Sequence, residues 1–287
     1  MNTRRALLFG GSGQIGAPLL ERLLAARWEV VAVSRDPRPD APGVRWLRGD
    51  LERCDGLPVA VDAIFSCGPL DHFARWYARS RIEAPRVLAF GSTSVVAKAG
   101  SADARERALA EQLREGEEGV FGAARMRQAA ATLLRPTLVY GAGRDRTLAR
   151  IAGFAREHGW MLLPSGASGL RQPVHVDDLA GAAMDASDAT TTHGRGYDLP
   201  GGETVPYREM VARMLAAMQP PPRLLELPPP LFGAALAGAR LLGRAHGIGD
   251  AAIDRLRDDL VFDAAPAKLA FGYAPRPFDP RAASTGR

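Results

Sequence analysis

Apolar residues arrive along this chain in short runs separated by glycine-bearing turns and amphipathic stretches. Ala6-Leu7-Leu8-Phe9 is the first run. Gly10-Gly11-Ser12-Gly13-Gln14-Ile15-Gly16 follows it, and Pro18-Leu19-Leu20-Glu21-Arg22-Leu23-Leu24 then has helical spacing. The order is strand, glycine turn, helix. Further strands are predicted over 29–33, ending at Ser34-Arg35; over 44–51, ending in Asp50-Leu51; over 61–68, ending in Cys67-Gly68; and over 86–92, ending at Ser92. A long run at 131–141 predicts a sixth, and 174–176 and 196–199 predict short ones, with an additional apolar strand at 160–164. Helical spacing marks 73–80, 102–115, 147–157 and 205–218, and Asp177 or Asp178 is placed to cap the helix after 176. The small-residue apolar run 231–242 predicts a buried helix. Strands alternating with helices predict an α/β fold, a doubly wound parallel sheet covered on both faces. The expected division is 1–141, with 174–200 returning to it, as the sheet domain, and 142–173 with 201–287 as a smaller C-terminal substrate lobe.

The glycine turn changes this picture from architecture to chemistry. Glycines at 10, 13 and 16 between a strand and a helix suit a backbone that must approach a pyrophosphate and face it with the N–H groups of a helix start. The fold is then Rossmann-type, and Gly10, Gly13, Gln14, Ile15 and Gly16 are expected to bind a dinucleotide. Ligands in such sheets lie beyond the carboxyl ends of the strands, so Gly10, Ser34, Asp50, Cys67 and Ser92 are expected at one crevice. The second strand ends in Ser34 and Arg35, with Arg38 close behind. An arginine there favours a ribose 2′-phosphate, which points to NADP, with NAD as the alternative because Asp36 lies one residue on.

Composition removes other classes. The net charge of +5 is carried almost wholly by arginine, Lys98 and Lys268 being the two lysines. The arginines are interleaved with Asp and Glu, which reads as a solvated surface rather than a nucleic-acid patch. Two cysteines, Cys54 and Cys67, are too few for a disulfide framework, and no grouping has metal-ligand spacing. The N-terminus runs straight into the first strand and no apolar stretch is long enough to span a bilayer, so a cytoplasmic setting is expected.

Taken in order, several stretches resemble the NAD-dependent epimerase/dehydratase family, the extended branch of the short-chain dehydrogenase/reductases. They are the glycine motif; Asp50-Leu51; the strand-end motif Phe90-Gly91-Ser92-Thr93-Ser94; Leu134-Arg135-Pro136 with Tyr140-Gly141; and Val174-His175-Val176-Asp177-Asp178-Leu179-Ala180. Asp259-Leu260-Val261-Phe262-Asp263 and the stretch 271–276 are similar to the family's closing segment. The resemblance implies bound NAD or NADP, with Asp50 and Leu51 at the adenine and Cys67 and Gly68 beside the nicotinamide. It also implies a cleft for a small-molecule substrate, often a nucleotide sugar, between sheet and lobe. A homodimer is compatible with it.

The family's acid/base tyrosine and its lysine four residues later are absent. No tyrosine lies between Tyr77 and Tyr140, and the two positions align with Asp103 and Arg107. Ser92 matches the residue that hydrogen-bonds the reacting oxygen. Lys98, shortly after it, is the candidate substitute acid/base, ahead of Asp103 and Glu106. Arg144 and Arg171 lie in loops that approach the substrate in the family, and two guanidinium forks would suit a phosphate. His175 is read as structural. The expectation is an NAD(P)-binding oxidoreductase or epimerase/dehydratase with a non-standard acid/base, acting on a nucleotide sugar or similar hydroxylated substrate. The alternative is a non-catalytic dinucleotide-binding regulator or assembly factor.

Overall fold

The computed structural model describes residues 3–141, 148–241 and 255–281. Seven strands form one parallel sheet: β1 (Arg5–Phe9), β2 (Glu29–Ser34), β3 (Val44–Arg48), β4 (Ala63–Ser66), β5 (Arg86–Phe90), β6 (Ala130–Pro136) and β11 (Arg195–Leu199). Their order is β3-β2-β1-β4-β5-β6-β11, so the winding reverses between β1 and β4. Alternate side chains feed two cores. Ala6 and Leu8 pack with Leu19 and Leu23 of α1 (Gly16–Ala25) and with Leu179, Ala182 and Ala183 of α6 (Val176–Asp188). Leu7 and Phe9 face Phe73 and Tyr77 of α2 (Leu70–Arg79) and Val120 of α4 (Ala104–Met126). Both faces of the sheet are thus sealed, as an all-parallel sheet requires.

The rest builds a lobe around a third apolar cluster that includes Tyr140, Leu163, Met210 and Met214. Its helices are α5 (Leu148–His158), α7 (Tyr207–Ala216) and α8 (Pro229–Leu241). Three small ladders support it: β7 (Val139–Tyr140) with β10 (Val174–His175), β9 (Leu170–Arg171) with β12 (Val205–Pro206), and β8 (Trp160–Pro164) with β13 (Arg223–Leu227). The short helices α3 (Ser94–Ala97) and α9 (Ala265–Phe271) complete the described elements.

Four expectations are corrected. The run 131–141 is not one strand. After Pro136 the chain leaves the sheet, where Thr93 takes the Pro136 carbonyl through both its N–H and its hydroxyl, and Val139 and Tyr140 pair instead with β10. The helix expected to stop at 115 runs on to Met126, because its glycines serve packing: a Cβ on Gly116 or Gly119 would lie 3.2 Å from Leu70 or Ala74 of α2. The stretch 205–218 opens as strand β12 before turning helical at Tyr207. The apolar run 231–242 is helical as far as Leu241 but not buried: Leu231 is 58% exposed, and Ala234, Ala235 and Ala237 are also exposed. Its small side chains present too little apolar area to draw it into the core. Leu242 lies outside the described residues.

Candidate functional site

The turn between β1 and α1 closes tightly on itself, with Gly13 N–H donating to the Gly10 carbonyl at 2.8 Å. A Cβ on Gly16 would lie 2.0 Å from that carbonyl oxygen. Gly10 has φ +75°, and a Cβ there would sit 3.0 Å from the Cys67 carbonyl carbon at the end of β4. The loop therefore lies at the reversal point of the sheet. Ile15 precedes α1 with no side-chain cap and no acidic residue in the first turn, so no negative side chain opposes an anion at the helix start, although Ala17 N–H is taken by the Gly13 carbonyl at 3.0 Å and Pro18 has no N–H. Gln14 Oε1 and Ser66 Oγ are buried beside this loop without a hydrogen-bond partner. A cradle that any Cβ would fill, a helix start free of acidic side chains and two orphaned polar atoms fit a dinucleotide.

Ser34, at the end of β2, is buried, and Arg35 beyond it is exposed. The Arg38 guanidinium lies over Trp46, 5.3 Å from the ring centre. Asp50 Oδ1 accepts N–H bonds from Glu52 at 2.8 Å and Arg53 at 2.9 Å. The bonds from Arg53 and Glu52, then the nearby Arg35 charge, hold its carboxyl below the usual range despite some desolvation. Leu51 packs against Gly68, whose Cβ would lie 3.2 Å from a Leu51 methyl. Burial pushes the Cys67 thiol up to about 12, which makes it an inert lining group.

At the end of β5, Ser92 Oγ accepts from Ser94 N–H at 3.1 Å, leaving the hydroxyl hydrogen to donate elsewhere. Lys98 Nζ lies 3.6 Å from Glu106 Oε1. The positions matching the family's tyrosine and lysine hold the backbone instead. Asp103 caps α4 by accepting from Arg105 N–H at 2.8 Å, and Arg107 donates at 2.8 Å to the carbonyls of both Ser101 and Ala102. Between them, Glu106 reaches across to the lobe. Its two oxygens take both terminal nitrogens of Arg255, and Ser101 Oγ donates to it at 2.7 Å. Desolvation raises the Glu106 carboxyl, but bonds from Arg255 and Ser101 and the charges of Arg255 and Lys98 outweigh it, so the net shift is below the ordinary 4.5. A carboxylate depressed on folding stabilises above its unfolded pKa, and that contribution is lost as the pH falls through the folded value. The expected result is that the wild type exceeds Glu106→Gln in stability at neutral pH and that this lead disappears well below pH 4.5. Urea midpoints of the two proteins across the acid range measure it; a lead that persists unchanged would contradict the pairing.

Arg171 is buried and its guanidinium is directed at backbone: Nη1 donates to the carbonyls of Leu170 and Asp258 at 2.8 and 2.7 Å, and Nη2 donates to that of Arg255. In this arrangement it fastens 255–259 to β9. Arg144 lies outside the described residues. His175 is buried edge-on against Tyr140, and its Nδ1 accepts from Asp177 N–H at 3.2 Å. The cap of α6 is thus histidine and not Asp177 or Asp178, because Asp178 is spent on the N–H and guanidinium of Arg276. Behind Ser92, Glu117 of α4 accepts two bonds from Arg135 of β6, at 2.6 and 2.5 Å, with Asp198 3.6 Å from the same guanidinium. Sequence reading missed Arg255 and this triad, since the partners lie far apart in the chain and no local pattern announces them.

No family model matches this chain. It is 26% identical over 254 residues to the 2-alkyl-3-oxoalkanoate reductase of Stenotrophomonas maltophilia, covering 76% of each protein. Among solved structures it resembles the epimerase Mth375 of Methanothermobacter thermautotrophicus, with a TM-score of 0.72, 14% identity, and 98% and 90% of the two chains covered. It also resembles MoeE5 in complex with UDP-glucose and NAD, with a TM-score of 0.70, 18% identity, and 98% and 97% covered. The chain has the Rossmann-type fold of these structures, as the resemblance implies.

Proposed function

We propose that this chain is an NAD(P)-binding oxidoreductase or epimerase of the extended short-chain dehydrogenase/reductase type, acting on a hydroxylated or oxo substrate such as a nucleotide sugar. The observation that carries the reading is the glycine cradle at the β1–β4 reversal, where a Gly16 Cβ would lie 2.0 Å from the Gly10 carbonyl. Gly10, Gly13, Gln14, Ile15 and Gly16 hold the pyrophosphate. Asp50 and Leu51 flank the adenine, and Cys67 and Gly68 flank the nicotinamide. Arg35, with Arg38 fixed over Trp46, selects NADP over NAD. When bound, the dinucleotide supplies the hydride donor or acceptor. Ser92 donates its hydroxyl hydrogen to the reacting oxygen and orients it. Lys98 moves the proton, which requires its pair with Glu106 to open. The substrate's far end lies against the lobe. Similarity to a reductase named for 2-alkyl-3-oxoalkanoates and the fold shared with MoeE5, seen in complex with UDP-glucose and NAD, both support redox chemistry at a carbon bearing oxygen.

One observation favours a second reading, dinucleotide binding without turnover. Asp103 and Arg107 occupy the acid/base positions and are engaged with backbone. Two measurements separate the readings. Titration with NADPH and NADH, followed by nucleotide fluorescence, is expected to show saturable binding that favours NADPH. Single-turnover mixing is expected to oxidise bound NADPH with oxo substrates and to reduce bound NADP+ with nucleotide sugars that offer a hydroxyl. Ser92→Ala is expected to slow that step by about 10²-fold while leaving NADPH affinity unchanged. Binding without any hydride transfer would establish the second reading, and failure to bind either nucleotide would overturn both.

A further inference from the structure

Glu106 sits in the first turn of α4, 3.6 Å from the Nζ of Lys98, which follows Ser92 in the chain. Arg255 belongs to a different part of the chain, where 255–260 runs beside β9. There Gly169 N–H donates to the Leu256 carbonyl, Leu260 N–H donates to the Leu170 carbonyl, and Arg171 grips the Arg255 and Asp258 carbonyls. The Glu106–Arg255 contact therefore joins α4, which packs on the sheet, to the segment that lines β9. It is well shielded, with the side chains 13% and 18% exposed.

The chemistry of the pair is informative. One carboxylate is received by both terminal nitrogens of a guanidinium, by the hydroxyl of Ser101 and by the Lys98 ammonium at 3.6 Å. That donor set is built for an oxyanion: a fork for two oxygens, a hydroxyl and a neutralising cation. The two sides of the donor set are fixed independently. Arg171 holds the backbone of Arg255, and Asp103 and Arg107 hold the turn that carries Ser101. Displacing Glu106 would need only a rotamer change of this one side chain, with the helix left in place. The resemblance places the family's acid/base pair on this same turn.

We propose that Arg255, Ser101 and Lys98 form an oxyanion site for the substrate, a carboxylate or phosphate, and that Glu106 is an internal stand-in that the substrate's anion displaces. The proposal rests on the reading of the crevice as a substrate cleft and deepens it: the substrate is anionic, and Glu106 sets how strongly an anion must bind to enter. Anions that cannot bridge the Arg255 fork are excluded, because the resident carboxylate already satisfies it.

The test uses the full chain and two simple probes, inorganic pyrophosphate and acetoacetate, titrated calorimetrically into the wild type, Glu106→Gln, Arg255→Met and the double variant. Removing the competing charge in Glu106→Gln is expected to tighten at least one probe by about tenfold, and Arg255→Met in the same background is expected to abolish that gain. A gain for pyrophosphate alone assigns the site to phosphate, for acetoacetate alone to carboxylate, and for both to an unselective oxyanion site. Equal or weaker binding by Glu106→Gln, or a gain that survives Arg255→Met, would overturn the proposal. Circular dichroism on each variant confirms folding, with Arg255→Lys replacing Arg255→Met if the latter does not fold. NADPH binding is measured separately, so its failure would sink the functional reading while the anion result stands on its own.

Discussion

Gly16→Ala is expected to abolish dinucleotide binding and to destabilise the fold. Two effects oppose each other at this position. Alanine is a better helix former than glycine, by roughly 0.5–1 kcal/mol. Against that, the new Cβ would stand 2.0 Å from the Gly10 carbonyl oxygen and 2.6 Å from its carbon. The obstructing atoms are backbone, so no side chain can rotate away, and overpacking of this kind costs about 1–3 kcal/mol or more. The clash wins, and relief comes only by opening the turn, which withdraws the N–H groups from a pyrophosphate. Gly153→Ala in α5 is the matched control, since a Cβ there meets nothing within 4 Å. It is expected to gain about 0.4–1 kcal/mol and bind NADPH as the wild type does. Urea unfolding and NADPH titration of both variants decide the matter. Wild-type NADPH affinity in Gly16→Ala would show that the loop is not the phosphate cradle.

The second large effect is expected at Glu117. Its carboxylate is 9% exposed and takes two short bonds from Arg135, whose charge is shielded from water as well. Bonding to Glu117 raises the Arg135 pKa despite desolvation, and the Asp198 carboxyl is raised by burial with Arg135 only partly offsetting it. Removing Glu117 leaves a guanidinium in a poorly solvated place with Asp198 as its remaining neighbour at 3.6 Å. Breaking a buried pair costs about 3–5 kcal/mol, and Asp198 holds the loss near the lower end. Glu117→Ala is therefore expected to lower the unfolding free energy by about 3 kcal/mol, with Glu117→Gln losing less because it keeps an acceptor. A loss below about 1 kcal/mol, the size expected of an exposed pair, would mean that water reaches the triad. Because the pair ties α4 to β6 behind Gly91 and Ser92, Glu117→Ala is also expected to disturb the strand end that carries Ser92.

The parts of this architecture that were legible in the sequence are those with local periodicity. The strands at 5–9, 29–34 and 86–90 and the glycine turn announce themselves because burial on both faces of a parallel sheet demands unbroken apolar runs. The short strand at 174–175 was legible from its apolar residues, but the two-residue strands β7, β9 and β12 carry no period at all, and the longer strand β13 follows three prolines and alternates only weakly. The continuation of α4 through Gly116 and Gly119 was hidden because glycine reads as a stop until α2 is seen pressed against it. Apolar composition could not distinguish a buried from an exposed α8. In the candidate site the glycine cradle was visible, but the bond from Glu106 to Arg255 spans 149 positions and exists only after the lobe has docked.

The place of β11 in the chain has a consequence for biogenesis. It closes the sheet beside β6, yet it is made only after α5, α6 and four of the lobe's short strands. While the chain is being synthesised, β6 therefore carries one unpaired edge, with Thr132, Leu133 and Leu134 among the residues whose partners have not yet been made. An apolar open edge of this kind is a template for pairing with another nascent chain. Arg86 reaches over it, donating to the Ala130 carbonyl and to Thr132 Oγ1, and also to the Ala186 and Ser187 carbonyls of α6. In the folded chain these bonds tie the end of α6, the helix that precedes β11, to the strand β6 that β11 completes.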